Sequence, residues 1–399
     1  MGKNANTDGM LPKGWQKVRL HEVASVKTGP FGTQLHQHDY VQSDGTPIIT
    51  VEHLSEKGLR HKNLPLVSDN DKQRLSQYLI HEGDIVFSRV GSVDRSALVK
   101  KDEDGWLFSG RLLRLRPRKD DVHSPYLNYF FHTKKFRHHM RSIAVGGIMP
   151  SINTNLLSNV FVQLPPLPEQ KAIASLLEIW DTAIEKTETL ITVKQKRFEW
   201  LLKTLIANNC SEWKHYKSMD LFESLSRRGY VDEQLLSATQ AQGVVPRSTL
   251  EGRVMSPSGS IEGYKLVEPG NFTISLRSFQ GGIEYSDHRG VISPAYTVLT
   301  PIREMADDFY KYFFKSHIFI EKYLSLAVVG IRDGKQINFD DFKTIKIPYP
   351  PLNHQVEIAN TLNVARQEID ILKLLTDRYH TQKRGLMQEL LTGKLKVNT

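Results

Sequence analysis

Leu164-Pro-Pro-Leu-Pro-Glu-Gln170 precedes a long run with helical periodicity, and the related stretch Pro350-Pro-Leu-Asn-His-Gln355 precedes a second one. The two stretches lie 185 residues apart, whether measured from Pro165 to Pro350 or from Gln170 to Gln355. Proline lacks a backbone N–H and clashes with the preceding turn, so it is excluded from a helix interior. The prolines therefore predict where each long helix begins.

Both runs carry a heptad pattern. Apolar residues recur in alternating steps of four and three, and eight of ten such positions are apolar in each run. An apolar seven-residue repeat sustained over several heptads predicts a coiled-coil seam. The predicted seam residues are Ile173, Leu177, Trp180, Ile184, Ile191, Phe198, Leu201 and Leu205 in the first helix, and Ile358, Leu362, Ala365, Ile369, Leu372, Tyr379, Leu386 and Leu390 in the second.

Each predicted helix spans roughly 39 residues, or about 58 Å at ~1.5 Å per residue. Each follows an equivalent domain, so a two-fold axis within the chain would pack the seams antiparallel, with the domains at opposite ends of a rod. A second arrangement stays open, in which two separate domain-helix units each pair with a different protein. One chain that carries two copies of one seam can bury each seam against the other, which favours the first arrangement.

The segments before the two helices also repeat. Tyr129-Phe130-Phe131 resembles Tyr312-Phe313-Phe314, and Ile152-Asn153 recurs as Ile337-Asn338. A period near 185 residues indicates duplication of a whole domain with its helix. The predicted fold class is α+β, with two pseudo-symmetric α/β domains joined by two long helices in an antiparallel coiled coil. The predicted boundaries are a disordered leader at 1–10, domain 1 at 11–165, helix 1 at 166–208, domain 2 at 209–350, and helix 2 with a tail at 351–399.

Local patterns within domain 1 predict three strands and one helix. Strand-like apolar runs occur at 47–51, 84–88 and 112–115, separated by turns that contain glycine or aspartate. Residues 126–140 predict an amphipathic helix with Leu127, Phe130, Phe131 and Phe136 on one side.

Composition and charge limit the class of protein. Hydrophobic residues make up 39% and charged residues 24% of the 399, which is typical of globular domains. No apolar run reaches the ~18 residues that predict a membrane span. The formal net charge of +9 and the pI near 9.3 favour a polyanionic partner, nucleic acid first. Cys210 is the single cysteine, so no disulfide framework is predicted and a reducing cytoplasm is expected.

Several catalytic motifs are absent from the sequence. There is no Gly-x-x-x-x-Gly-Lys-Ser/Thr phosphate loop, no dinucleotide-binding glycine fingerprint and no Gly-x-Ser-x-Gly element. The Asp/Asn-Pro-Pro-aromatic signature of amino-methyltransferases is also missing. His36 with His38 and His138 with His139 form small clusters, but none has the spacing of a metal site, so no metal is expected. These absences argue against a chain that is by itself a nuclease or a methyltransferase.

Basic and amide side chains in loops are the candidates for nucleic-acid contact. Arginine suits bidentate recognition of guanine and phosphate contact, and glutamine can pair with adenine. The alternatives are a plain strand-to-strand turn around residues 27–34 and solvated loops elsewhere. The candidate DNA-binding residues are Lys27, Gln34, Arg89, Arg95 and Arg111 in domain 1, and Arg227, Arg228, Arg247, Arg253, Arg277, Gln280, Arg332 and Lys335 in domain 2.

Taken together, these features resemble the DNA-specificity subunit of type I restriction-modification systems. The resemblance covers roughly residues 11–395 and rests on the 164–170 motif with Ile173 and Leu177, on Ser151-Ile152-Asn153, and on Gly29-Pro30-Phe31-Gly32. The second copy departs from the pattern, because Asn353-His354 replaces Pro-Glu and no Gly-Pro-Phe-Gly counterpart occurs near 227–230.

The resemblance implies that each domain is a target recognition domain that reads one half of a bipartite, asymmetric site on double-stranded DNA. It implies that the helices act as a spacer and as the docking surface for two methyltransferase subunits, with two motor-nuclease restriction subunits joining for cleavage. S-adenosylmethionine, ATP and magnesium are expected on those partners, with no cofactor on this chain and no membrane partner. The alternative is a coiled-coil protein-interaction scaffold without a DNA role, which leaves the basic loops and the net charge unexplained.

Overall fold

The computed structural model describes residues 11–30, 34–36, 39–118, 120–250, 260–275, 278–324 and 339–397, and for residues 279 and 280 it describes the backbone alone. The chain divides into two compact units. Unit 1 comprises Met1–Lys186 with Thr376–Thr399, and unit 2 comprises Thr187–Leu375. Each unit therefore contains one α/β domain and a part of both long helices. None of the helices in the described ranges is long and apolar enough to cross a membrane.

Unit 1 is built from twelve described strands and the first six helices. The strands are β1 (Gln16–Arg19), β2 (Ala24–Thr28), β3 (Tyr40–Val41), β4 (Thr46–Ile49), β5 (Leu54–Ser55), β6 (Gly58–Leu59), β7 (Leu66–Val67), β8 (Ile85–Ser88), β9 (Ser96–Leu98), β10 (Leu107–Phe108), β11 (Leu112–Pro117) and β12 (Phe161–Leu164). The helices are α1 (Leu20–Val23), α2 (Asp69–Arg74), α3 (Ser124–Phe131), α4 (Lys134–Ile143), α5 (Thr154–Ser158) and α6 (Leu167–Leu202), the last of which runs on into unit 2.

The strands of unit 1 form two four-stranded sheets. One has the order β2-β11-β8-β9 and is antiparallel throughout, and the other has the order β10-β4-β7-β3. Phe87, Leu113 and Leu115 of the first sheet pack with Tyr126 and Phe131 of α3 in the main core. A second core lies around the other sheet. The short antiparallel pair β1-β12 leads from the sheets into α6.

Unit 2 repeats the plan of the first sheet. Its strands are β13 (His215–Lys217), β14 (Phe222–Leu225), β15 (Leu236–Thr239), β16 (Gly243–Pro246), β17 (Lys265–Val267), β18 (Phe272–Ile274), β19 (Glu284–Tyr285), β20 (Gly290–Ile292), β21 (Thr297–Pro301) and β22 (Lys346–Pro348). Its helices are α7 (Ser278–Gly281), α8 (Asp307–Lys315), α9 (Phe339–Phe342) and α10 (Leu352–Leu390), the last of which runs back into unit 1. The antiparallel sheet β14-β21-β18-β19 corresponds to β2-β11-β8-β9, and β13-β22 corresponds to β1-β12.

The predicted helix at 126–140 was wrong as a single element. The structure has α3 and α4 with a break at His132 and Thr133. The Thr133 hydroxyl accepts a hydrogen bond from the Phe136 N–H at 3.3 Å, so this residue caps a new helix. Apolar spacing alone did not separate the two helices, because Phe130, Phe131 and Phe136 still pack together. The three predicted strands appear as β4, β8 and β11 with shifted ends.

Both long helices begin directly after a proline pair. α6 starts at Leu167, after Pro165-Pro166, and α10 starts at Leu352, after Pro350-Pro351. Pro168 is the second residue of α6, where its missing N–H costs nothing because first-turn N–H groups have no partner within the helix. A π-helical turn, Lys203–Ala207, follows α6.

The two long helices pack antiparallel, as the contacts inside each unit show. In unit 1, Ile173 and Leu177 near the start of α6 share a core with Leu390 at the end of α10, and Trp180 meets Tyr379 at a ring distance of 5.7 Å. In unit 2, Leu201 at the end of α6 shares a core with Ile358 near the start of α10. The predicted fold class is confirmed.

The sixteen predicted seam residues all lie at buried or partly buried positions. Those that are buried are Ile173, Leu177, Ile184, Ile358, Leu362, Ile369 and Leu390, and those that are partly buried are Trp180, Ile191, Phe198, Leu201, Leu205, Ala365, Leu372, Tyr379 and Leu386. Charged positions of the heptad pattern form ion pairs between the helices. Lys194 pairs with Glu368 at 2.5 Å in unit 2, and Lys383 pairs with Asp181 in unit 1.

Candidate nucleic-acid interface

The repeated glutamine fastens α6 to the domain that precedes it. Gln170 is buried, and its amide nitrogen donates hydrogen bonds to the carbonyl oxygens of Pro165 at 2.9 Å and Asp121 at 3.3 Å. Its amide oxygen accepts from the His123 N–H at 2.9 Å. The side chain thus satisfies backbone groups that burial would otherwise leave without partners.

Gln355 does the same for α10. It is fully buried, donates to the Pro350 carbonyl at 2.8 Å, and accepts from the Ala306 N–H at 2.9 Å. We call this arrangement of Gln170 and of Gln355 the glutamine latch. The latch explains why the sequence motif pairs a glutamine with prolines, since the proline carbonyl five residues earlier is its acceptor in both copies.

Replacing Gln355 with leucine is expected to destabilise unit 2 by roughly 2–4 kcal/mol, because the Pro350 carbonyl and the Ala306 N–H would stay buried without partners. The measurement is the midpoint of urea unfolding of the full chain. Gln367→Leu is the control, since Gln367 is exposed on the same helix. Equal midpoints for the two variants would contradict the latch.

In each unit, two tyrosines form further hydrogen bonds that fasten the domain to the long helix following it. Tyr126 donates its hydroxyl to the Gln163 carbonyl at 2.9 Å, and Tyr310 donates to the Pro348 carbonyl at 3.0 Å. In the same way, Tyr129 binds the Asp181 carboxylate at 2.7 Å and Tyr312 binds the Asn363 side chain at 2.7 Å. Each domain is thereby held to the long helix that follows it.

Three candidate residues of domain 1 lie directly next to the ends of strands β8, β9 and β11, on the same side of the β2-β11-β8-β9 sheet where those ends meet. The Arg89 N–H donates to the Arg111 carbonyl at 2.9 Å, and the Ile152 N–H donates to the Arg89 carbonyl at 2.9 Å. Arg95 follows in the turn after β8. We call Arg89, Arg95 and Arg111 the arginine edge.

The arginine edge presents positive charge to solvent. Among the described residues, no hydrogen bond or ion pair engages the exposed guanidinium groups of Arg95 and Arg111. The Arg89 guanidinium donates to the Gly110 carbonyl at 3.3 Å, which holds it beside Arg111. Exposed arginines at the ends of hydrogen-bonded strands suit contact with phosphate or with the edges of bases.

Lys27 and Gln34 are placed differently, around Tyr78. The Lys27 ammonium lies 5.0 Å from the centre of the Tyr78 ring and donates to the Gln77 amide oxygen at 2.8 Å. Desolvation, followed by repulsion from Arg114 and Arg116, lowers the pKa of Lys27. The Gln34 amide oxygen accepts from the Tyr78 hydroxyl at 2.9 Å, so pairing of both amide groups with adenine would require that bond to break.

The candidates of domain 2 are only partly placed. Arg227 pairs with Glu268, which also binds Arg289 at 2.6 Å, and the Arg247 side chain donates to the Ser237 hydroxyl at 3.1 Å. Arg228 is exposed. Arg253, Arg277, Arg332 and Lys335 lie outside the described residues, and the Gln280 side chain is not described although its backbone belongs to α7. The DNA-binding role of all these candidates stays a prediction.

Sequence reasoning missed two further groups. The α4 segment carries Lys134, Lys135, Arg137 and Arg141, of which Arg137 pairs with Glu56 at 2.5 Å and Arg141 with Asp94 at 3.0 Å; the signal was the run Lys-Lys-Phe-Arg-His-His at 134–139. The second group is a set of apolar residues on the long helices that point away from the seam. Its members with the largest exposed fractions are Ile179, Val364 and Ile371.

Within the described ranges, no group of three or more histidine, cysteine, aspartate or glutamate side chains could hold a metal ion. Cys210 is buried among the apolar residues of unit 2, and burial raises the pKa of its thiol to about 11. A thiol with so high a pKa is protonated at neutral pH and is a poor nucleophile.

Comparisons with known proteins agree on one group of relatives. The family model described as type I restriction modification DNA specificity domain matches twice, at residues 12–195 and 210–377. The MjaX specificity subunit of a type I restriction enzyme from Methanocaldococcus jannaschii is 26% identical over 98% of this chain and 96% of its own. The MjaVIII specificity subunit of the same organism is 22% identical over 97% of this chain and 94% of its own.

Solved structures share the fold. The HsdS subunit from Thermoanaerobacter tengcongensis superposes with a TM-score of 0.53 at 18% identity, over 98% of this chain and 99% of its own. A chain from a study of complex assembly and conformational transition of the type I R-M system superposes with a TM-score of 0.60 at 18% identity, over 97% of this chain and all of its own. Both likenesses extend over the two domains and both long helices.

Proposed function

Because the chain belongs to the family of type I restriction-modification DNA specificity subunits, we propose that it reads a bipartite, asymmetric site on double-stranded DNA and directs partner enzymes to that site. The family resemblance inferred from the sequence is confirmed by the family match. The chain is a DNA-binding, non-catalytic subunit, and the partners supply the chemistry.

The observation that carries this proposal is the duplication of the family's specificity domain in one chain. Each domain is fastened by a glutamine latch to the helix that follows it, and the helices pack antiparallel. Two recognition domains that differ in their loops read two different half-sites, and the base pairs between the half-sites stay unread. Half-sites on one face of B-DNA recur about every 34–36 Å, which a helix pair of this length can serve.

The arginine edge supports the assignment of domain 1 as a reader of DNA. Contacts from lysine and arginine to phosphates provide affinity for every sequence, whereas contacts to the base edges provide specificity. Arg95 and Arg111 are exposed and have no acidic partner among the described residues. The net charge of +9 favours the approach of this surface to DNA.

The partners in this proposal are two methyltransferase subunits and two motor-nuclease subunits. The methyltransferases bind S-adenosylmethionine and methylate adenine, one on each strand, and the motor-nucleases use ATP and magnesium. This chain itself binds no cofactor, and the complex works in the cytoplasm. The apolar residues on the outer side of the long helices support docking of the methyltransferases, since exposed apolar patches mark interaction sites.

Positions 185 residues apart provide equivalent docking points. Ile179 on α6 is 66% exposed, and Val364 on α10 is 68% exposed. In unit 2, Val364 lines a cavity of about 440 Å³ between α6 and α10, together with Leu201, Asn360 and Ala365. Such a concave, partly apolar surface suits a side chain inserted by a partner.

The experiment that tests the proposal is detection of methylated adenines across a host genome, with and without this gene and in the presence of the methyltransferase subunit. We expect one gene-dependent motif with two defined segments and an unread gap. In cells whose gene encodes the Arg95→Ala and Arg111→Ala variant, methylation of this motif is expected to be less complete. The purified variant complex should show a salt dependence of DNA binding that is shallower by about 1 for each phosphate that the removed arginines no longer neutralise.

Three results would overturn the proposal. One is a genome in which adenine methylation does not depend on the gene. Another is a complex that shows no salt-dependent binding to mixed DNA and still joins proteins, which would favour the scaffold alternative. The third is a purified chain that methylates or cuts DNA by itself.

A further inference from the structure

A short loop of unit 1 exposes large apolar side chains at its tip. The loop connects α4 to α5 and runs from Ala144 to Pro150. Ile148 is fully exposed, and Val145 and Met149 are each 64% exposed. Single exposed apolar residues are common, but three within five residues of one loop are unfavourable unless a partner covers them.

Backbone hydrogen bonds close the loop at its base. The Val145 and Ser151 backbones exchange two hydrogen bonds of 2.9 Å, and the Gly91 N–H donates to the Pro150 carbonyl at 2.8 Å. Gly146 has φ +106°, and a Cβ there would lie 2.8 Å from the Met149 carbonyl oxygen, so only glycine fits. A preformed tip loses little conformational entropy when it binds.

The loop stands beside the arginine edge. The Ile152 N–H donates to the Arg89 carbonyl at 2.9 Å, and Arg89 is bonded in turn to Arg111. On its other side is the end of α4, where the Arg141 guanidinium binds Asp94 at 3.0 Å and so joins the helix to the turn before Arg95. The base of the loop is thus bonded to the end of β8 that carries Arg89, beside Arg111, whereas the charge of Arg141 is matched by Asp94.

We propose that Ile148 and Met149 form an apolar wedge, which enters a groove of the DNA and inserts between adjacent base pairs of the half-site read by domain 1. This inference rests on the proposed function and adds a mode of recognition to it. Isoleucine, methionine and proline are among the side chains that wedge between base steps in architectural DNA-binding proteins. Here they occur consecutively, as Ile148-Met149-Pro150.

DNA fits the tip better than an apolar protein surface does. A wedge between base pairs buries only a few apolar atoms, which matches the small size of the tip. The arginine edge at the base of the loop matches the phosphates that border a groove, whereas an apolar protein partner would have to cover those charges. Val145, where the loop begins, would then lie outside the stack of DNA base pairs.

The wedge has a consequence for sequence preference. Inserting a side chain between base pairs costs unstacking energy, and this cost is smallest at pyrimidine–purine steps such as TA and CA/TG. We therefore expect the half-site of domain 1 to contain such a step at the position of the wedge, in addition to the bases read by hydrogen bonds. Domain 2 has a related run, Ala327-Val-Val-Gly-Ile331, outside the described residues, and the proposal does not extend to it.

The test uses the complete complex of this chain with its methyltransferase subunits. The probe is a duplex that contains the motif returned by genome-wide adenine-methylation sequencing. 2-Aminopurine replaces, one at a time, each adenine that is not a methylation target, because a methyltransferase that rotates its target base out of the helix would also raise the fluorescence. Wild-type complex is expected to raise the fluorescence severalfold at one step of one half-site.

Ile148→Ala with Met149→Ala is expected to abolish that rise and to weaken binding by roughly 10- to 100-fold, while the salt slope stays unchanged because every phosphate contact is kept. Ile302→Ala is the matched control, since Ile302 is an exposed apolar residue of unit 2. It should behave as wild type, and all three proteins should unfold at the same temperature.

The two possible failures are distinguishable. If no gene-dependent motif exists, the proposed function fails and the wedge fails with it. If the motif exists and wild-type complex binds it without a fluorescence rise in either half-site, the wedge alone is wrong. A double variant that binds and unstacks the DNA as wild type does would also overturn the wedge.

Discussion

Insertion of seven residues into each long helix, after Lys186 in α6 and after Leu375 in α10, is expected to lengthen the unread gap of the recognised DNA site. Seven residues preserve the heptad phase and add roughly 10 Å of helix. At 3.4 Å per base pair, that length corresponds to a gap longer by up to about 3 base pairs. Both sites lie where a helix passes from one compact unit to the other, so the contacts inside each unit are kept.

The measurement is adenine-methylation sequencing of cells that carry the lengthened gene. We expect both defined segments of the motif to be unchanged and only the number of bases between them to differ. Insertion of five residues at the same two sites is the control, because five residues turn a helix by about 140° beyond a full turn and misplace the seam. This control should lose methylation without a new motif. An unchanged gap in the seven-residue variant would show that the helices do not set the spacing.

Ile179→Asp combined with Val364→Asp is expected to abolish methylation by preventing both methyltransferase subunits from docking. Both side chains are exposed, so the substitutions should leave the unfolding temperature of the chain unchanged. A carboxylate buried without a partner in an apolar interface costs several kcal/mol, enough to dissociate a subunit. Each single variant should retain one methyltransferase subunit, because the two positions are equivalent in the repeat.

The measurement is the mass of the complex in solution, with methylation of the motif as the second readout. Met219→Asp is the control, since Met219 is an exposed apolar residue in domain 2 that is neither on a long helix nor next to a candidate DNA-binding residue in the sequence. It should keep two subunits and full methylation. A double variant that still binds two methyltransferase subunits would place the docking surface elsewhere on the chain.

The long helices were predictable because their physics is local and periodic. The prolines exclude a helix before Leu167, which sets where α6 begins. The heptad spacing places the apolar residues in one stripe along α6, which sets the face that is buried. The break between α3 and α4 was not predictable from apolar spacing, because its cause is a single cap at Thr133. Strand ends shifted for a similar reason, since the register of β11 is set by its neighbours β2 and β8.

The residue types of the candidate site were predictable, but which of those residues lie together in space was not. Arg89 and Arg111 were named for their chemistry, yet only the sheet brings them side by side, because they are 22 positions apart in the chain. Lys27 and Gln34 were equally good candidates by residue type, but in the structure both side chains contact Tyr78. Composition cannot tell an arginine that faces solvent from one, such as Arg227, that already has an acidic partner.

The sequence by itself determined that this chain is a duplicated domain with two paired helices, and it determined the family, because these depend on repeats and periodicity along the chain. Only the tertiary structure decided what the repeated glutamine does, which arginines share an edge, and that an apolar tip stands beside them. The physical reason is that a buried hydrogen bond or a shared surface joins residues far apart in the chain, and nothing in their local spacing specifies that contact.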